Sequence, residues 1–202
     1  LMRSWSRKAM PIRFPAKITA VNHVDNSLLL ITAKAVGKFP GVGPGQFFHL
    51  AIDSYKPDSH WPESRAFSIA TSTQNGEFRF IISRSGTFVE RLWSTAQVGT
   101  DLWLKGPYGE LDTELGDVPT SSDLILVAAG SGVSPFASLI TRRIEAVLQH
   151  SSLVWLLYSA RSPSLLTERA FYQDLALQHP ETFKVEFFIT RDFEKASADW
   201  AI

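Results

Sequence analysis

Two kinds of hydrophobic pattern divide the chain near its middle. In the first half, short runs rich in apolar and β-branched residues are separated by polar or glycine-containing turns, as in an antiparallel β structure. These runs predict strands over residues 12–24, 28–35, 46–52, 65–70, 77–83 and 100–105. Asn75-Gly76 predicts a hairpin turn between the fourth and fifth strands, because Asn-Gly accepts positive φ. We expect the sixth strand to stop at Gly106, and the set to close into an antiparallel barrel.

One short helix interrupts these strands. Thr87 and Glu90 have the spacing of a capping box, in which a threonine side chain caps the helix and a glutamate three residues later reaches back. The pattern therefore predicts a helix that begins at Thr87 and runs through Leu92 to Thr95.

The second half alternates strand and helix periods. Apolar runs over 123–129, 153–158 and 185–190 alternate with helical patterns over 136–148 and 168–177. Ser134 is the predicted N-cap of the first of these helices, with Pro135 at its first position. This order predicts an α/β domain with a parallel sheet and right-handed crossovers, whose first strand is covered on both faces. We expect two domains, a β-barrel over 1–112 and an α/β domain over 119–202.

Composition narrows the classes of function. The 202 residues carry 20 basic and 20 acidic side chains, so a nucleic-acid binder that works by bulk charge is not expected. The chain has no cysteine, which excludes disulfides, thiolate metal sites and ordinary iron–sulfur clusters within it. The five histidines show no metal-ligand spacing, and no apolar run is long enough to span a membrane. We expect a cytoplasmic protein without a bound metal.

Two stretches have the residue types of an anion site. Gly130-Ser131-Gly132 follows a buried strand and precedes a helix, where backbone N–H groups favour phosphate. The next strands end at Tyr158–Arg161 and Thr190-Arg191, and ligands of parallel sheets bind at this edge. In the first half, Arg65-Ala66-Phe67-Ser68 sets a guanidinium and a ring on one face of a strand. Each stretch taken alone also fits a packed turn or a surface arginine.

The order of these segments resembles the ferredoxin–NADP reductase superfamily. The matching segments are PGQFFHL at 44–50, RAFSIATS at 65–72, SGTFVERL at 85–92, KGPYG at 105–109, AAGSGVSP at 128–135 and YSAR at 158–161. The resemblance implies a six-stranded flavin-binding barrel followed by a nucleotide-binding α/β domain, and it covers residues 17–192.

The resemblance implies roles for the barrel residues. Arg65 is expected to neutralise the flavin pyrophosphate and Phe67 to pack on the flavin ring. Ser68, the candidate catalytic residue, is expected to hydrogen-bond near the flavin N5 atom. Further flavin contacts are expected from Ile69 and Ala70 and from the helix start at Gly86, Thr87 and Phe88. Val89 stands where the family often has a hydroxyl residue, so one phosphate contact is missing.

The resemblance also implies a pyridine nucleotide, NADPH or NADH, on the α/β domain. Its expected contacts are Gly130, Ser131, Gly132, Val133, Pro135, Arg161, Thr190 and Arg191. Thr190-Arg191 resembles a Ser-Arg pair that binds the 2′-phosphate in NADP-using members of the family, which favours NADPH over NADH. We expect hydride to pass from the nucleotide to FAD, and electrons to pass on to a ferredoxin-like or other protein acceptor.

Three points stay open in the sequence. The α/β domain is expected to be incomplete at its C-terminus, because the family's later strands have no counterpart after Asp192. An FMN-binding reductase component of an oxygenase system, and a module that binds flavin or nucleotide without catalysis, are the alternatives. The sequence does not indicate the identity of the acceptor or the oligomeric state.

Overall fold

The computed structural model describes residues 11–111, 119, 121–147 and 152–191, whose strands form two sheets. The first sheet is antiparallel and contains β1 (Ile12–His23), β2 (Leu28–Ala35), β3 (Phe47–Ala51), β4 (Ser64–Ser68), β5 (Thr71–Ser72), β6 (Glu77–Ser83) and β7 (Asp101–Tyr108). Helix α1 (Gly86–Thr95) connects β6 to β7. The second sheet is parallel and contains β8 (Leu124–Ala129), β9 (Val154–Ala160) and β10 (Phe183–Ile189). The predicted combination of an antiparallel β half and a parallel α/β half is confirmed.

The seven-stranded sheet curls so that its two edges meet. Its order is β4-β3-β7-β1-β2-β6-β5, and the chain passes from one edge to the other through Ile69 and Ala70 alone. The Ile69 amide donates to the Gln46 carbonyl (3.0 Å), and the Ala70 amide donates to the Arg79 carbonyl (2.8 Å). Alternate side chains of the strands fill the interior, where Phe48 packs edge-on against Phe14 and Phe78.

The hairpin at Asn75-Gly76 exists, but its first strand differs from the prediction. β5 (Thr71–Ser72) pairs with β6, while β4 ends at Ser68 and pairs with β3. The predicted strand over 65–70 therefore ends at Ser68, and the unpredicted strand β5 follows Ala70, so the sheet has seven strands instead of six. The division arises because Ile69 and Ala70 cross between the edges of the curled sheet, which depends on contacts distant in sequence.

β7 continues past its predicted end at Lys105 through Gly106-Pro107 to Tyr108. A side chain on Gly106 has no room there, because its Cβ would fall 2.6 Å from Cδ1 of Phe48. Glycine thus lets the strand approach the packed interior instead of ending it.

The predicted capping box at the start of α1 is wrong, although the helix start at Gly86 that the family resemblance implies agrees with the structure. The helix begins at Gly86 with Ser85 as its N-cap residue, so Thr87 lies inside the first turn and caps nothing. Glu90 does not reach back to the helix start, because Arg84 binds its carboxylate through three hydrogen bonds of 2.8–3.1 Å.

Helices α2 (Phe136–Val147) and α3 (Arg169–Gln178) follow β8 and β9. Both pack on the sheet face that holds Leu126, Leu156 and Phe183. The opposite face of β8 is exposed among the described residues, with Ile125 59 % and Val127 72 % accessible. The expectation that this strand is covered on both faces is therefore wrong for the described part of the chain, because the two crossover helices share one side.

The turn before α2 also differs from the prediction. Residues 130–133 form a short 3₁₀ helix, and Ser134 has helical backbone angles. Its hydroxyl donates to the Ser131 carbonyl at 2.6 Å, so Ser134 closes the 3₁₀ turn instead of capping α2. α2 itself begins at Phe136.

The two sheets share an apolar contact. Leu28, Leu30 and Ile81 on the outside of the barrel belong to one buried cluster with Val133 and Leu165 of the α/β half. The proposed domain boundary between residues 112 and 119 remains a prediction, since residues 112–118 lie outside the described part of the chain.

Candidate functional site

A pocket of about 400 Å³, here called the barrel pocket, opens where β4, the end of β6 and the start of α1 meet. Arg65 and Phe67 of β4 lie opposite Leu50 and Phe48 of β3, so the two side chains share one face, as strand alternation predicts. The lining includes Arg65, Ala66, Phe67, Ile81, Ile82, Ser83, Ser85, Gly86, Thr87, Phe88, Val89 and Ser131.

Arg65 is half exposed at the rim of this pocket. Its guanidinium donates to the Glu63 carboxylate and to the Ser64 carbonyl, both at 2.9 Å, and lies 5.5 Å from the ring centre of Phe88. Arg91 also binds Glu63, at 3.3 Å. The pocket therefore offers a positive group that a surface carboxylate holds in place, and an anionic ligand would compete with Glu63 for it.

The first turn of α1 faces the same pocket. Gly86 has φ +80°, and a Cβ there would meet nothing within 4 Å, so the space above it is open. The Ser85 side chain makes no cap hydrogen bond, and the first turn contains no acidic residue. The first backbone N–H groups of the helix thus have no side-chain acceptor, an arrangement that suits a bound anion.

Phe67 lies between the interior and this opening. Its ring centre is 6.3 Å from that of the buried Phe88, and its own side chain is only half-buried. One aromatic face, one guanidinium and one helix N-terminus thus converge on the barrel pocket.

Three predicted residues of this site do not line the pocket. Ser68 is half-buried and pairs with Phe47 of β3, while Ile69 and Ala70 are buried in the closure of the barrel. Ile69 packs with the barrel interior and Ala70 with the cluster between the two sheets.

A second opening of about 400 Å³ lies between the two sheets and is here called the interdomain cleft. Its α/β wall consists of the carboxyl ends of all three parallel strands, as expected for a ligand site of such a sheet. Residues from that wall are Ala129, Gly130, Ser131, Ser159, Ala160, Arg161, Leu165 and Thr190, and the barrel contributes Ser27, Leu28, Ser83 and Arg84.

Four of the eight predicted nucleotide contacts lie in the lining of this cleft: Gly130, Ser131, Arg161 and Thr190. The other four do not line it. Val133 is fully buried under the sheet, Gly132 and Arg191 are exposed, and Pro135 lies between the 3₁₀ turn and α2. Arg191 remains beside the cleft through its backbone, since its amide donates to the Arg161 carbonyl at 3.2 Å.

Ser83 and Ser131 belong to both openings. Their hydroxyl groups are 2.7 Å apart and form the direct polar contact between the end of β6 and the turn after β8. The barrel pocket and the interdomain cleft are therefore neighbours that share one wall.

Arg84 is a cleft residue that the sequence analysis missed. It follows Ser83 at the end of β6, and its guanidinium lies 4.6 Å from the ring centre of Trp93. The hydrogen bonds to Glu90 raise the pKa of Arg84 and lower that of Glu90. Its position two residues before Gly86 is the signal that would have placed it beside the site.

The described residues contain neither a metal-binding cluster nor a membrane-spanning helix. No group of three or more His, Asp or Glu side chains is arranged to hold a metal ion within the part of the chain the structure describes. In the same ranges, no helix combines the length and the apolar character that crossing a membrane requires.

Comparison with known proteins finds relatives that are named as reductases or as reductase components of oxygenases. A family model described as "Oxidoreductase NAD-binding domain" matches residues 126–202. The reductase component of propane 2-monooxygenase from Mycolicibacterium smegmatis is 29 % identical over 188 residues, which are 91 % of this chain and 49 % of that protein. The ferredoxin–NADP reductase of the Cyanophora paradoxa cyanelle is 28 % identical over 77 % of this chain and 47 % of its own length.

Solved structures agree on the fold. A ferredoxin–NADP⁺ reductase from Neisseria gonorrhoeae, solved with bound FAD and NADP, superposes with a TM-score of 0.70 at 22 % identity over 89 % of this chain and 69 % of that chain. The chain spans only part of its relatives: 49 % of the propane 2-monooxygenase reductase component from Mycolicibacterium smegmatis and 33 % of the one from Rhodococcus jostii.

Proposed function

We propose that this chain, which is similar to ferredoxin–NADP reductases and to reductase components of oxygenases, belongs to that superfamily, and that it binds FAD in the barrel pocket and a nicotinamide dinucleotide in the interdomain cleft. The observation that carries the proposal is the convergence of Arg65, the Phe67 ring and the uncapped N-terminus of α1 on one opening. These three features together suit a flavin nucleotide, because FMN and FAD join a flat aromatic ring to phosphate.

Two groups of this chain would hold the flavin phosphates. Arg65 supplies a full positive charge, and the α1 amides from Gly86 onward supply hydrogen-bond donors at the positive end of the helix dipole. Thr87 is exposed in the first turn and adds a hydroxyl beside them. Both FAD and FMN carry the phosphate that this arrangement would bind, so FMN is the alternative ligand.

Phe67 would lie against the flavin ring and keep water from that side, because its half-buried side chain already faces the pocket. The role of Ser68 as a hydrogen-bond donor near the reacting nitrogen remains a prediction, since Ser68 does not line the pocket as it stands.

The interdomain cleft would bind the nicotinamide dinucleotide. Arg84 on the barrel wall and Arg161 on the α/β wall place two guanidinium groups around the cleft, and Gly130 lets the backbone approach the ligand closely. Thr190 adds a hydroxyl next to Arg161. Two arginines suit a ligand with several phosphates, and NADPH is favoured over NADH.

When bound, the flavin would supply the acceptor for hydride from the nicotinamide and release the two electrons to a second protein. The residues of this chain contribute orientation and charge, and none of them needs to donate or accept a proton for that transfer. The relatives are named as reductase components of oxygenases and as ferredoxin reductases. An electron-carrying protein of that kind is the proposed partner, and the cytoplasm the proposed location.

The spectrum of the purified protein tests the proposal. We expect flavin absorbance bands, FAD by mass spectrometry after denaturation, and loss of those bands when NADPH is added without oxygen. Arg91→Ala is the control variant and should keep the flavin absorbance bands. Arg91 binds Glu63, as Arg65 does, but it does not line the barrel pocket. A protein that remains colourless after incubation with FAD and FMN would refute flavin binding, and bound flavin that neither NADPH nor NADH reduces would favour a non-catalytic module.

A further inference from the structure

Glu168 has an unusual backbone for its residue type. It directly precedes α3 with φ 59° and ψ 17°, the left-handed region that glycine prefers. No other residue except glycine has positive φ in the described part of the chain. The Glu168 side chain makes no cap hydrogen bond to α3, so helix capping does not explain why glutamate occupies this position.

The Glu168 side chain instead faces the barrel. Nη1 of Arg79 lies 2.8 Å from Oε1 of Glu168, and the carboxyl side chain is only 13 % exposed. Oε1 accepts no aligned hydrogen bond among the described residues, so its charge is balanced by this ion pair. A largely buried carboxylate is costly unless it is paired, which ties Glu168 to Arg79.

The ion pair joins β6 of the barrel to the segment that leads into α3 of the α/β half. Arg79 lies in β6, and its carbonyl accepts the hydrogen bond from Ala70 that helps to close the barrel two residues after Ser68. Glu168 follows Thr167, whose hydroxyl is 3.1 Å from that of the buried Tyr158. The same short segment contains Leu165, which lines the interdomain cleft.

We infer that Arg79 and Glu168 are a positioning pair, which sets the orientation of the α/β half relative to the barrel. The left-handed backbone at Glu168 directs the carboxylate toward Arg79, and strained residues of this kind persist where the surroundings require them. The catalytic consequence rests on the proposed function: the pair would align the interdomain cleft with the barrel pocket so that nucleotide and flavin rings meet.

The first test needs no cofactor. The chain has no cysteine, so spin labels can be attached to a single introduced pair, Lys34→Cys on β2 and Asp174→Cys on α3, both exposed. We expect a narrow distance distribution by pulsed electron paramagnetic resonance in the otherwise unchanged protein. Glu168→Gln should broaden or shift it, whereas Asp101→Asn, which removes the Lys17 ion pair within the barrel, should not. An unchanged distribution in Glu168→Gln would overturn the inference.

The second test separates positioning from stability. Glu168→Gly removes the carboxylate and also relieves the left-handed backbone, so relief of strain offsets part of the stability lost with the ion pair. Thermal unfolding should show that this variant is still folded at the temperature of the kinetic assay. We expect the rate of flavin reduction by NADPH in this variant to fall about 10- to 100-fold, the scale of a small misalignment of reacting groups. The dissociation constants for FAD and NADPH should stay within about twofold, a level at which each binding site is intact.

The two tests distinguish failure of the inference from failure of the proposed function. If the unchanged protein binds no flavin, the proposed function fails, while a broadened distance distribution in Glu168→Gln still supports the orienting role. If reduction is as fast in Glu168→Gly as in the unchanged protein, the pair does not position the sites, and the inference fails although the proposed function stands.

Discussion

Replacement of Arg65 by alanine tests the phosphate-binding role on which the flavin proposal depends. The side chain is 52 % exposed, so its charge is partly screened by solvent, and it must leave Glu63 before it can serve a ligand. Loss of a hydrogen-bond partner of a charged group costs about 1–3 kcal/mol. We therefore expect the dissociation constant for FAD to rise about 5- to 150-fold in Arg65→Ala.

Riboflavin is the matched comparison ligand, because it has the same ring system and no phosphate. Arg65→Ala should leave riboflavin binding unchanged, measured by quenching of flavin fluorescence in parallel with the FAD titration. The FAD effect should shrink at high salt, since the contact is ionic. An equal loss for riboflavin and FAD would show that Arg65 supports the pocket structurally, and no loss for FAD would remove Arg65 from the site.

Glu63→Gln removes the other partner of the Arg65 ion pair and should have the opposite effect on FAD binding. Glu63 accepts from Arg65 at 2.9 Å and from Arg91 at 3.3 Å, and both contacts are exposed ion pairs of small net stability. Freeing Arg65 should tighten FAD binding by up to about fivefold, since such a pair contributes about 0–1 kcal/mol. Weaker FAD binding in Glu63→Gln would mean that the carboxylate positions the guanidinium instead of competing with the phosphate.

Three further predictions concern the barrel and the cleft. Gly106→Ala should lower the free energy of unfolding in urea by about 1–3 kcal/mol, because its Cβ would meet the buried Phe48 ring at 2.6 Å; an unchanged midpoint would refute the packing argument. Partial burial, together with the charge of Lys105, lowers the pKa of His49 below 6.5, so the unfolded chain takes up a proton first as pH falls. Stability should therefore decrease from pH 7.5 to 5.5, and His49→Gln should show a smaller decrease in its thermal midpoint. Arg161→Ala should raise the KM for NADPH more than that for NADH if Arg161 binds the 2′-phosphate, and an equal rise for both would place it elsewhere on the nucleotide.

Local sequence patterns predicted most strands of the barrel because each is a short run of apolar and β-branched residues between turn residues. Residues 28–35 and 77–83 were predicted with the bounds that the structure has. The division of residues 65–72 into β4 and β5 was not predictable in this way. It depends on the Gln46 carbonyl, which lies far from Ile69 in sequence and accepts from its amide at one edge, while the Arg79 carbonyl of the local hairpin accepts from Ala70 at the other.

The errors at the helix starts have a similar cause. Thr87 and Glu90 have capping-box spacing, but Arg84 binds Glu90, and the helix begins one residue before Thr87, at Gly86. At Ser134, a hydrogen bond to the Ser131 carbonyl replaces the expected cap. In each case the side chain forms a hydrogen bond with a nearby polar group instead of with the helix start. The spacing of residues alone does not predict which of these hydrogen bonds forms.

For the candidate site, the sequence predicts the individual segments but not how they are arranged relative to one another. The individual segments place Arg65, Gly86, Gly130 and Arg161 at strand ends and helix starts, but only the folded chain makes the two openings neighbours. Ser83 and Ser131 form their common wall, with hydroxyl groups 2.7 Å apart. In the proposed function, a nucleotide ring that reaches from the interdomain cleft toward the barrel pocket would meet these two hydroxyl groups, each of which can donate and accept a hydrogen bond. The wall that the two openings share is thus polar at the point where the proposed ligands would meet.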